Sequence, residues 1–309
     1  MKQKVAALLA NIETAIMGKR ETIKYTLVGL LARGHVLLED VPGVGKTTLA
    51  RALAKSIDCQ FRRIQFTPDL LPSDIVGVSV FDQGEGDFKF HSGPLFANVI
   101  LADEINRTTP RTQSALLEAM NDFQVSVDGV THALPSPFIV LATQNPIEYA
   151  GTYTLPEAQL DRFLLRLAIG YPDRDSERQV VRSQRLSHPL DSLQPVVTAA
   201  EVLQLQEAVR QVRMDEGLLD YILEIAARTR VHKGLALGVS PRGCLMLYRA
   251  AQASAVIEGR TFCTPDDIKR LALPVLSHRV IEKGRDAGAS RKDGETVLTE
   301  ILEDVPVPI

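Results

Sequence analysis

Five short apolar runs recur between residues 35 and 172, and helical patterns lie between them. Continuous aliphatic and β-branched runs bounded by turn residues are typical of strands covered on both faces, as in a parallel sheet. Helices are expected between the runs, most clearly at 47–56 and 110–123. The alternation therefore predicts an α/β domain with a parallel five-stranded sheet between helices. The predicted strands are HVLLE (35–39), FRRIQF (61–66), NVILADE (98–104), FIVLATQN (138–145) and LLRLAIGYP (164–172).

Two hairpins interrupt this alternation. In QVSVDGVTHAL (124–134), Asp128 and Gly129 lie between alternating apolar residues, which is a strong signal for a type I′ turn. VSVFDQGEGDFKF (78–90) indicates a looser pair of strands around an acidic, glycine-rich loop. We expect both segments to be β-hairpin inserts in the α/β plan.

After residue 172 the pattern becomes helical. A polar helix is expected at about 174–186, and the following SHPLDSLQPVV has no periodicity. Further helices are predicted at 199–213, 215–230, 241–258 and 265–277, the last with Thr264 as N-cap followed by proline and two acids. We therefore expect an α/β core at 1–186 that includes an N-terminal helix, a linker at 187–198 and a small α-helical domain at 199–309.

Charge and composition narrow the class of protein. The formal net charge of -3 gives no electrostatic case for nucleic acid, because that function calls for a basic domain or stripe. Cys59, Cys244 and Cys263 are far apart and lack metal-ligand spacing, so we expect reduced, buried thiols. The N-terminal segment predicts an amphipathic helix and not a signal peptide, because Asn11 and Glu13 interrupt its apolar run. No stretch is long enough to span a membrane, and we expect a cytoplasmic protein.

The stretch EDVPGVGKTT (39–48) ends as a phosphate-binding P-loop ends. It follows one predicted strand and opens the helix KTTLARALAKS, which is the strand–loop–helix context that such a loop requires. Glycines let successive backbone N–H groups point at phosphate oxygens, and the helix N-terminus adds its dipole. Lys46 is expected to reach the β- and γ-phosphates, and Thr47 to bind Mg²⁺. The predicted ATP-binding residues of this loop are Val41, Pro42, Gly43, Val44, Gly45, Lys46, Thr47 and Thr48.

Asp40 occupies the position where a P-loop has its first glycine. An aspartate tolerates the backbone angles of a turn better than most residues do. Its carboxylate is expected to point away from the phosphates, since otherwise it would weaken their binding. The alternative is a glycine-rich turn that happens to contain Lys46.

VILADE (99–104) is an apolar strand that ends in two acids, the form of a Walker B segment. Asp103 is expected to hold Mg²⁺ through water, and Glu104 to polarise the attacking water. Taken alone, the two acids could equally cap the following helix, but a P-loop at this distance favours the nucleotide site. Asn145 ends another predicted strand, where it could orient water near the γ-phosphate or make an ordinary turn.

These motifs, together with LPEAQLDRF (155–163) and GVSPRG (238–243), resemble those of the AAA+ ATPases. Over nearly its whole length the chain is similar to the MoxR family. The stretches that carry this resemblance are HVLLEDVPGVGKT, RIQFTPDLLPSDIVG, GPLFANVILADEINR, SALLEAM, ATQNPIEYAGTYTLPEAQLDRF and SPR.

The resemblance implies an AAA+ core, a helical lid at 199–309 and assembly into rings, usually hexamers. It makes Asn145 sensor 1, and it makes Arg242 sensor 2, reaching from the lid to the phosphates of its own subunit. Arg162 becomes the arginine finger of the neighbouring subunit, and Met17 and Gly18 match the stretch whose backbone lies near adenine. Without the resemblance to the family, we would interpret Arg162 and Arg242 as arginines that are solvated or form ion pairs.

The sequence leaves two alternative roles for two further arginines. Arg107 and Arg111 could contact a neighbouring subunit, or they could be exposed residues at the start of a helix.

The favoured hypothesis is Mg²⁺-dependent hydrolysis of ATP to ADP and phosphate by a ring-forming, chaperone-like remodeller or activator of protein partners. By the resemblance, such partners often contain a von Willebrand A domain. One alternative is a nucleotide-gated assembly or scaffold module with incidental turnover, but intact Glu104 and Arg162 favour hydrolysis. Another is a DNA motor, which the net charge and the acidic 82–87 loop disfavour.

Overall fold

The computed structural model describes residues 1–145, 153, 155–183, 189–283 and 292–308. Helices α1 (Lys2–Glu13) and α2 (Arg20–Leu31) come first. The next elements are β1 (Val36–Glu39), α3 (Lys46–Ser56), β2 (Phe61–Gln65), α4 (Pro72–Val76), β3 (Gly77–Asp82), β4 (Asp87–Ser92), β5 (Val99–Asp103), a 3-10 turn (Ile105–Arg107), α5 (Pro110–Asp122), β6 (Gln124–Val127), β7 (Val130–Ala133), β8 (Ile139–Gln144), α6 (Glu157–Leu160) and β9 (Leu165–Leu167). The remaining elements are α7 (Arg174–Ser183), α8 (Pro189–Ser192), α9 (Ala199–Arg210), α10 (Glu216–Val231), β10 (Leu235–Leu237), α11 (Pro241–Ile257), α12 (Pro265–Leu276), a 3-10 turn (Ser277–Arg279), β11 (Ile281–Glu282) and α13 (Lys292–Asp304).

The central sheet has the strand order β2-β5-β8-β1-β9, and every neighbouring pair is parallel. The predicted parallel five-stranded sheet is therefore confirmed. Because parallel strands all end at one edge, the segments that follow β1, β5 and β8 emerge side by side. This carboxyl edge brings together three of the predicted motifs.

The two faces of the sheet pack against different cores. Val36 and Leu38 of β1 belong to a core that includes residues of α1, α2 and α3, whereas Leu37 belongs to one that includes residues of α5. Side chains alternate between the faces of a strand, so consecutive aliphatic residues fill both cores. All six residues of β8 are buried, as expected for a strand covered on both sides.

Both predicted hairpins are present. Asp128 and Gly129 have φ of 51° and 79°, the positive values that a type I′ turn requires at its two central residues. Strands β3 and β4 pair in register from Gly77 opposite Ser92 to the acidic tip. The ring of Phe90 on β4 stacks on that of His132 on β7 with centroids 3.9 Å apart, so the two inserts touch.

The four helices predicted after residue 198 are confirmed as α9 to α12, and α13 and the β10–β11 pair were not predicted. Of the predicted linker, residues 187 and 188 lie outside the described ranges. The rest of the linker contains α8 and buries Leu190, Leu193 and Val197, so it packs against the core. The side chain of Gln206 on α9 donates a 2.7 Å hydrogen bond to the carbonyl of Leu30 on α2. The helical part is therefore packed directly on the N-terminal helices.

Helices in the described ranges all fall short of the length and apolarity needed to cross a membrane. Cys244 and Cys263 are buried free thiols as predicted, whereas Cys59 is only half-buried. Burial raises the pKa of Cys59 to about 11 and that of Cys263 to about 12, so both thiols stay protonated at neutral pH.

Candidate nucleotide-binding site

The loop between β1 and α3 has the shape of a phosphate cradle. Gly43 and Gly45 have φ of 86° and 99°, a region that strongly favours glycine. Apart from Gly43 and its two chain neighbours, no described heavy atom lies within 4 Å of the place where a Cβ on Gly43 would be, so the loop opens onto free space there. Gly45 is also the N-cap of α3, whose first backbone N–H groups face the same opening.

One cavity at the carboxyl edge of the sheet contains most of the predicted catalytic side chains. Lys46 and Thr47 reach it from the first turn of α3. Asp103 and Glu104 reach it from the end of β5, and Asn145 from the end of β8. The other lining residues are Pro42, Gly43, Gly45, Thr48, Arg63 and Thr143. Sequence positions a hundred residues apart thus meet where a nucleotide phosphate chain is expected.

The amine of Lys46 donates a 2.6 Å hydrogen bond to the carbonyl oxygen of Asp40, at the start of the same loop. Burial lowers the pKa of Lys46, and the negative charges of Asp40, Asp103 and Glu104 oppose that shift. The lysine is therefore held at the mouth of the cradle, beside the acids of β5.

The carboxylate of Asp40 is held by two backbone N–H groups at the start of the loop and after β9. Its Oδ1 accepts from the backbone N–H of Val41 at 2.8 Å, and its Oδ2 accepts from the backbone N–H of Gly170 at 2.6 Å. Both oxygens are thus engaged by backbone N–H groups, which supports the expectation that this carboxylate does not face the phosphates, and that expectation stays a prediction.

Thr143 orients the two acids at the end of β5, Asp103 and Glu104. Its hydroxyl donates to Asp103 Oδ1 at 2.6 Å and accepts from the backbone N–H of Glu104 at 2.8 Å. Glu104 has φ 59° and ψ 51°, so the backbone turns out of the strand direction at this residue. The sequence did not reveal Thr143, although it lies on β8 only two positions before Asn145.

Strand β2 supplies a second set of partners that the sequence did not reveal. The Nε and Nη2 groups of Arg63 donate to Asp103 Oδ2 at 3.0 and 2.6 Å. The amide of Gln65 donates to Glu104 Oε2 at 2.8 Å, and Arg107 donates to the same oxygen at 2.9 Å. Arg63 and Gln65 alternate on β2, a possible signal of a common polar face, but only the strand order places that face beside β5.

The donor set fits a magnesium nucleotide. Within the described residues, no group of three or more His, Cys, Asp and Glu side chains could hold a metal ion alone. Mg²⁺ usually takes one or two protein oxygens and completes its shell with water and substrate phosphates. The hydroxyl of Thr47 and the carboxylate of Asp103 line one cavity with the cradle and match that pattern.

Met17 and Gly18 lie next to the loop. The side chain of Ile16 is 3.6 Å from the position of a Cβ on Gly45, and a Cβ on Gly18 would clash with Ser176 at 2.3 Å. The segment is thus packed between the P-loop and α7, and its contact with adenine stays a prediction.

Arg242 does not line the cavity that contains Lys46 and Glu104. Its Nη2 donates to Asn121 Oδ1 at 2.8 Å, and its Nε is 3.7 Å from Asp161 Oδ2. The other oxygen of Asp161 pairs with the buried Arg279 at 2.9 Å, and Arg162 follows Asp161 in the chain. Burial lowers the pKa of Arg279 to about 10, with the charge of Asp161 opposing the shift.

This arginine cluster belongs to the amino edge of the sheet. The His35 ring, just before β1, lies 2.8 Å from the carbonyl of Met120, so α5 ends at that edge. Strands β1 and β8 have 4 and 6 residues, which at about 3.3 Å each separate the two edges by roughly 13–20 Å. The expectation that Arg242 reaches the phosphates of its own subunit therefore disagrees with the structure. Its part in nucleotide binding, like that of Arg162, stays a prediction.

Comparisons with known proteins identify related chains. Residues 35–165 match the ATPase family associated with various cellular activities (AAA), and residues 227–301 match the AAA lid domain. The chain is 51% identical to protein YeaC of Bacillus subtilis over 97% of its own length and 93% of that protein. It is 40% identical to chaperone MoxR1 of Mycobacterium tuberculosis, covering 96% of this chain and 81% of that one.

A solved structure shows the same fold. The crystal structure of a candidate ATPase from Cytophaga hutchinsonii superposes with a TM-score of 0.90 at 37% identity, covering 100% of this chain and 96% of that one. The P-loop, the acids of β5, the helical part and these similarities lead to one conclusion. The chain belongs to the MoxR family of AAA+ ATPases.

Proposed function

We propose that this protein is a Mg²⁺-dependent ATPase that works as a chaperone-like remodeller or activator of protein partners. The observation that carries the proposal is the convergence of Lys46, Thr47, Asp103, Glu104 and Asn145 on one cavity. A chance turn with a lysine would not bring two carboxylates and an amide to the same opening.

Each residue has a distinct task in this proposal. The backbone N–H groups of the loop and the amine of Lys46 bind the phosphates. Thr47 and Asp103 hold Mg²⁺, which when bound neutralises phosphate charge and orients the oxygens. Glu104 orients and polarises the attacking water, and the amide of Asn145 fixes that water near the γ-phosphate.

We further propose assembly into rings, most simply hexamers, in which Arg162 and Arg242 serve a neighbouring subunit. Arg162 follows Asp161 in the chain, and Arg242 lies beside the carboxylate of Asp161, at the opposite edge of the sheet from the P-loop of the same subunit. An arginine that cannot reach its own phosphates can complete an adjacent site only if a second copy presents its carboxyl edge there. We also propose that the chain divides into a core at 1–186, a linker at 187–198 and a lid at 199–309.

The client is proposed from the relatives alone. One relative is named a chaperone, which favours a protein client, and a partner with a von Willebrand A domain is the family-based candidate. The net charge of -3 continues to disfavour nucleic acid.

A second candidate is a nucleotide-gated assembly module with slow turnover. Two hydrogen bonds, from Gln65 and Arg107, engage the same oxygen of Glu104. These bonds fix the orientation of the carboxylate and leave its other oxygen to accept from water, so hydrolysis is slow relative to binding if that orientation does not suit the attacking water.

Two variants test the proposal. Lys46→Ala should abolish ATP binding, because the phosphates lose their charge partner, and Glu104→Gln should retain binding and lose turnover. Lys269→Ala and Glu300→Gln are the controls, since both residues are exposed and outside the cavity. Binding is measured with a fluorescent ATP analogue and turnover by phosphate release. Equal ATP affinity of the Lys46 and Glu104 variants would show that these roles are wrong. Tight binding by the wild type without phosphate release would favour the assembly module.

A further inference from the structure

The ion pair between Arg63 and Asp103 places a positive charge at the rim of the candidate nucleotide cavity. Two N–H groups of Arg63 converge on one carboxylate oxygen, at 2.6 and 3.0 Å. The side chain of Asp103 is 14% exposed and that of Arg63 is 47% exposed, so the pair lies where the cavity meets solvent. Arg63 lines the same cavity as Lys46 and Thr47.

This guanidinium occupies the carboxylate that the proposed metal needs. A carboxylate accepts about four hydrogen bonds, and Asp103 already accepts two from Arg63 on Oδ2 and one from Thr143 on Oδ1, so only one position, on Oδ1, is left beside the guanidinium charge. A divalent cation held at Asp103 would be repelled by the guanidinium, because the two like charges would share one carboxylate at short range. Arg63 and Mg²⁺ therefore compete for Asp103.

We propose that Arg63 is a positioning residue that substitutes for the metal when no magnesium nucleotide is bound. It neutralises Asp103 until a magnesium nucleotide enters, and it then leaves Oδ2. When nucleotide enters without metal, Arg63 stays and contributes positive charge to the phosphates. The consequence is that Arg63 reduces the dependence of nucleotide affinity on Mg²⁺. This inference rests on the proposed nucleotide site and adds a residue to it.

The chain contains a matched control in the neighbouring Arg62. Arg62 is also exposed and precedes Arg63 on β2. Because successive side chains of a strand point to opposite faces, the side chain of Arg62 points away from the face that carries Arg63. In the register with β5, Arg62 lies opposite Ile100 and Arg63 opposite Leu101. Both substitutions remove one positive charge from an edge strand, but only that of Arg63 removes it from Asp103.

The test measures the dissociation constant of a fluorescent ADP analogue in excess Mg²⁺ and in EDTA. The readout is the ratio of the EDTA value to the Mg²⁺ value, which needs no catalytic turnover. In Arg63→Met this ratio should rise by about three-fold to ten-fold, the range for loss of a partly exposed ion pair with charged hydrogen bonds. Metal-free affinity should fall and affinity with Mg²⁺ should hold or improve. Arg62→Met should keep the wild-type ratio, and Arg63→Lys should stay near it because the charge remains.

An Arg63→Met ratio equal to that of Arg62→Met would overturn the proposal. Thermal melting verifies that each variant is folded, and Arg63→Gln replaces Arg63→Met if the latter does not fold. Failure of the wild type to bind ADP in either buffer would refute the proposed nucleotide site itself, which is a different result.

Discussion

The carboxylate of Asp40 accepts a 2.6 Å hydrogen bond from the backbone N–H of Gly170, which ties the start of the P-loop to the segment after β9. Gly170 has φ 66°, a left-handed conformation that glycine adopts without a Cβ penalty. The residue that departs from the P-loop pattern thus anchors the loop to the edge of the sheet.

Asp40→Asn should destabilise the fold. Both partners of this carboxylate, the N–H groups of Val41 and Gly170, are donors, and an amide offers only one acceptor oxygen to them. We expect a loss of about 1–3 kcal/mol in the free energy of unfolding, measured by urea denaturation. Hydrolysis should fall by no more than a few-fold, because we expect that the carboxylate does not face the phosphates. A collapse of activity with unchanged stability would show a direct role of Asp40 in catalysis.

Thr143→Val should impair catalysis more than binding. The substitution keeps the shape of a buried side chain and removes the hydroxyl that bonds Asp103 and the N–H of Glu104. We expect kcat to fall by about ten-fold or more with a smaller change in KM, since misplacing catalytic groups typically costs that much. Thr143→Ser restores the hydroxyl and should restore most of the rate. Equal kinetic effects of Val and Ser would show that packing, not the hydroxyl, matters here.

Arg162→Ala and Arg242→Ala should each be rescued by mixing with Glu104→Gln. Each variant alone should be nearly inactive, because an arginine on the γ-phosphate contributes on the order of 10³–10⁵ in rate where measured. In mixed rings, an arginine variant keeps its own Glu104 and receives the missing arginine from its neighbour. Phosphate release by the mixtures is the measurement. Rings that demonstrably mix and stay inactive would contradict the shared site.

His35 should make the fold sensitive to acid. The ring is buried, with Nδ1 accepting from the N–H of Val140 at 3.0 Å and Nε2 donating to the carbonyl of Met120. Burial lowers the pKa of His35 from 6.5 to about 4. Between pH 6.5 and pH 4 the unfolded chain binds a proton at His35 that the folded chain does not. The contribution of the neutral ring to the free energy of unfolding is therefore complete above pH 6.5 and is lost as the pH falls toward 4.

At about 1.4 kcal/mol per pKa unit, the loss reaches on the order of 3 kcal/mol. The measurement is the free energy of unfolding at several pH values for wild type and His35→Gln. The variant lacks the titrating ring, so its stability should change less between pH 7 and pH 4.5. Parallel profiles would assign the acid sensitivity to other groups.

The sequence predicted those features whose determinants are close together in the chain. The P-loop depends on Gly43, Gly45 and Lys46 within a few residues, and the β6–β7 turn depends on the Asp128-Gly129 pair. The apolar runs report burial on both faces of a strand, which was enough for a parallel sheet. The acids of β5 and Asn145 were found for the same reason, since each ends a recognisable strand.

Only the tertiary structure decided which of these residues meet. Asp40 and its partner Gly170 are 130 positions apart, and Arg63 and Asp103 are 40 apart on neighbouring strands. From its motif we expect Arg242 to reach the phosphates of its own subunit. The packing of α11 instead puts it beside Asn121, far from its own P-loop. Hydrogen bonds and ion pairs need contact within about 3 Å, and periodicity reveals only the buried face of an element. The sequence by itself therefore determined the local motifs and the fold class, and the strand order and helix packing determined the partners of each charged side chain.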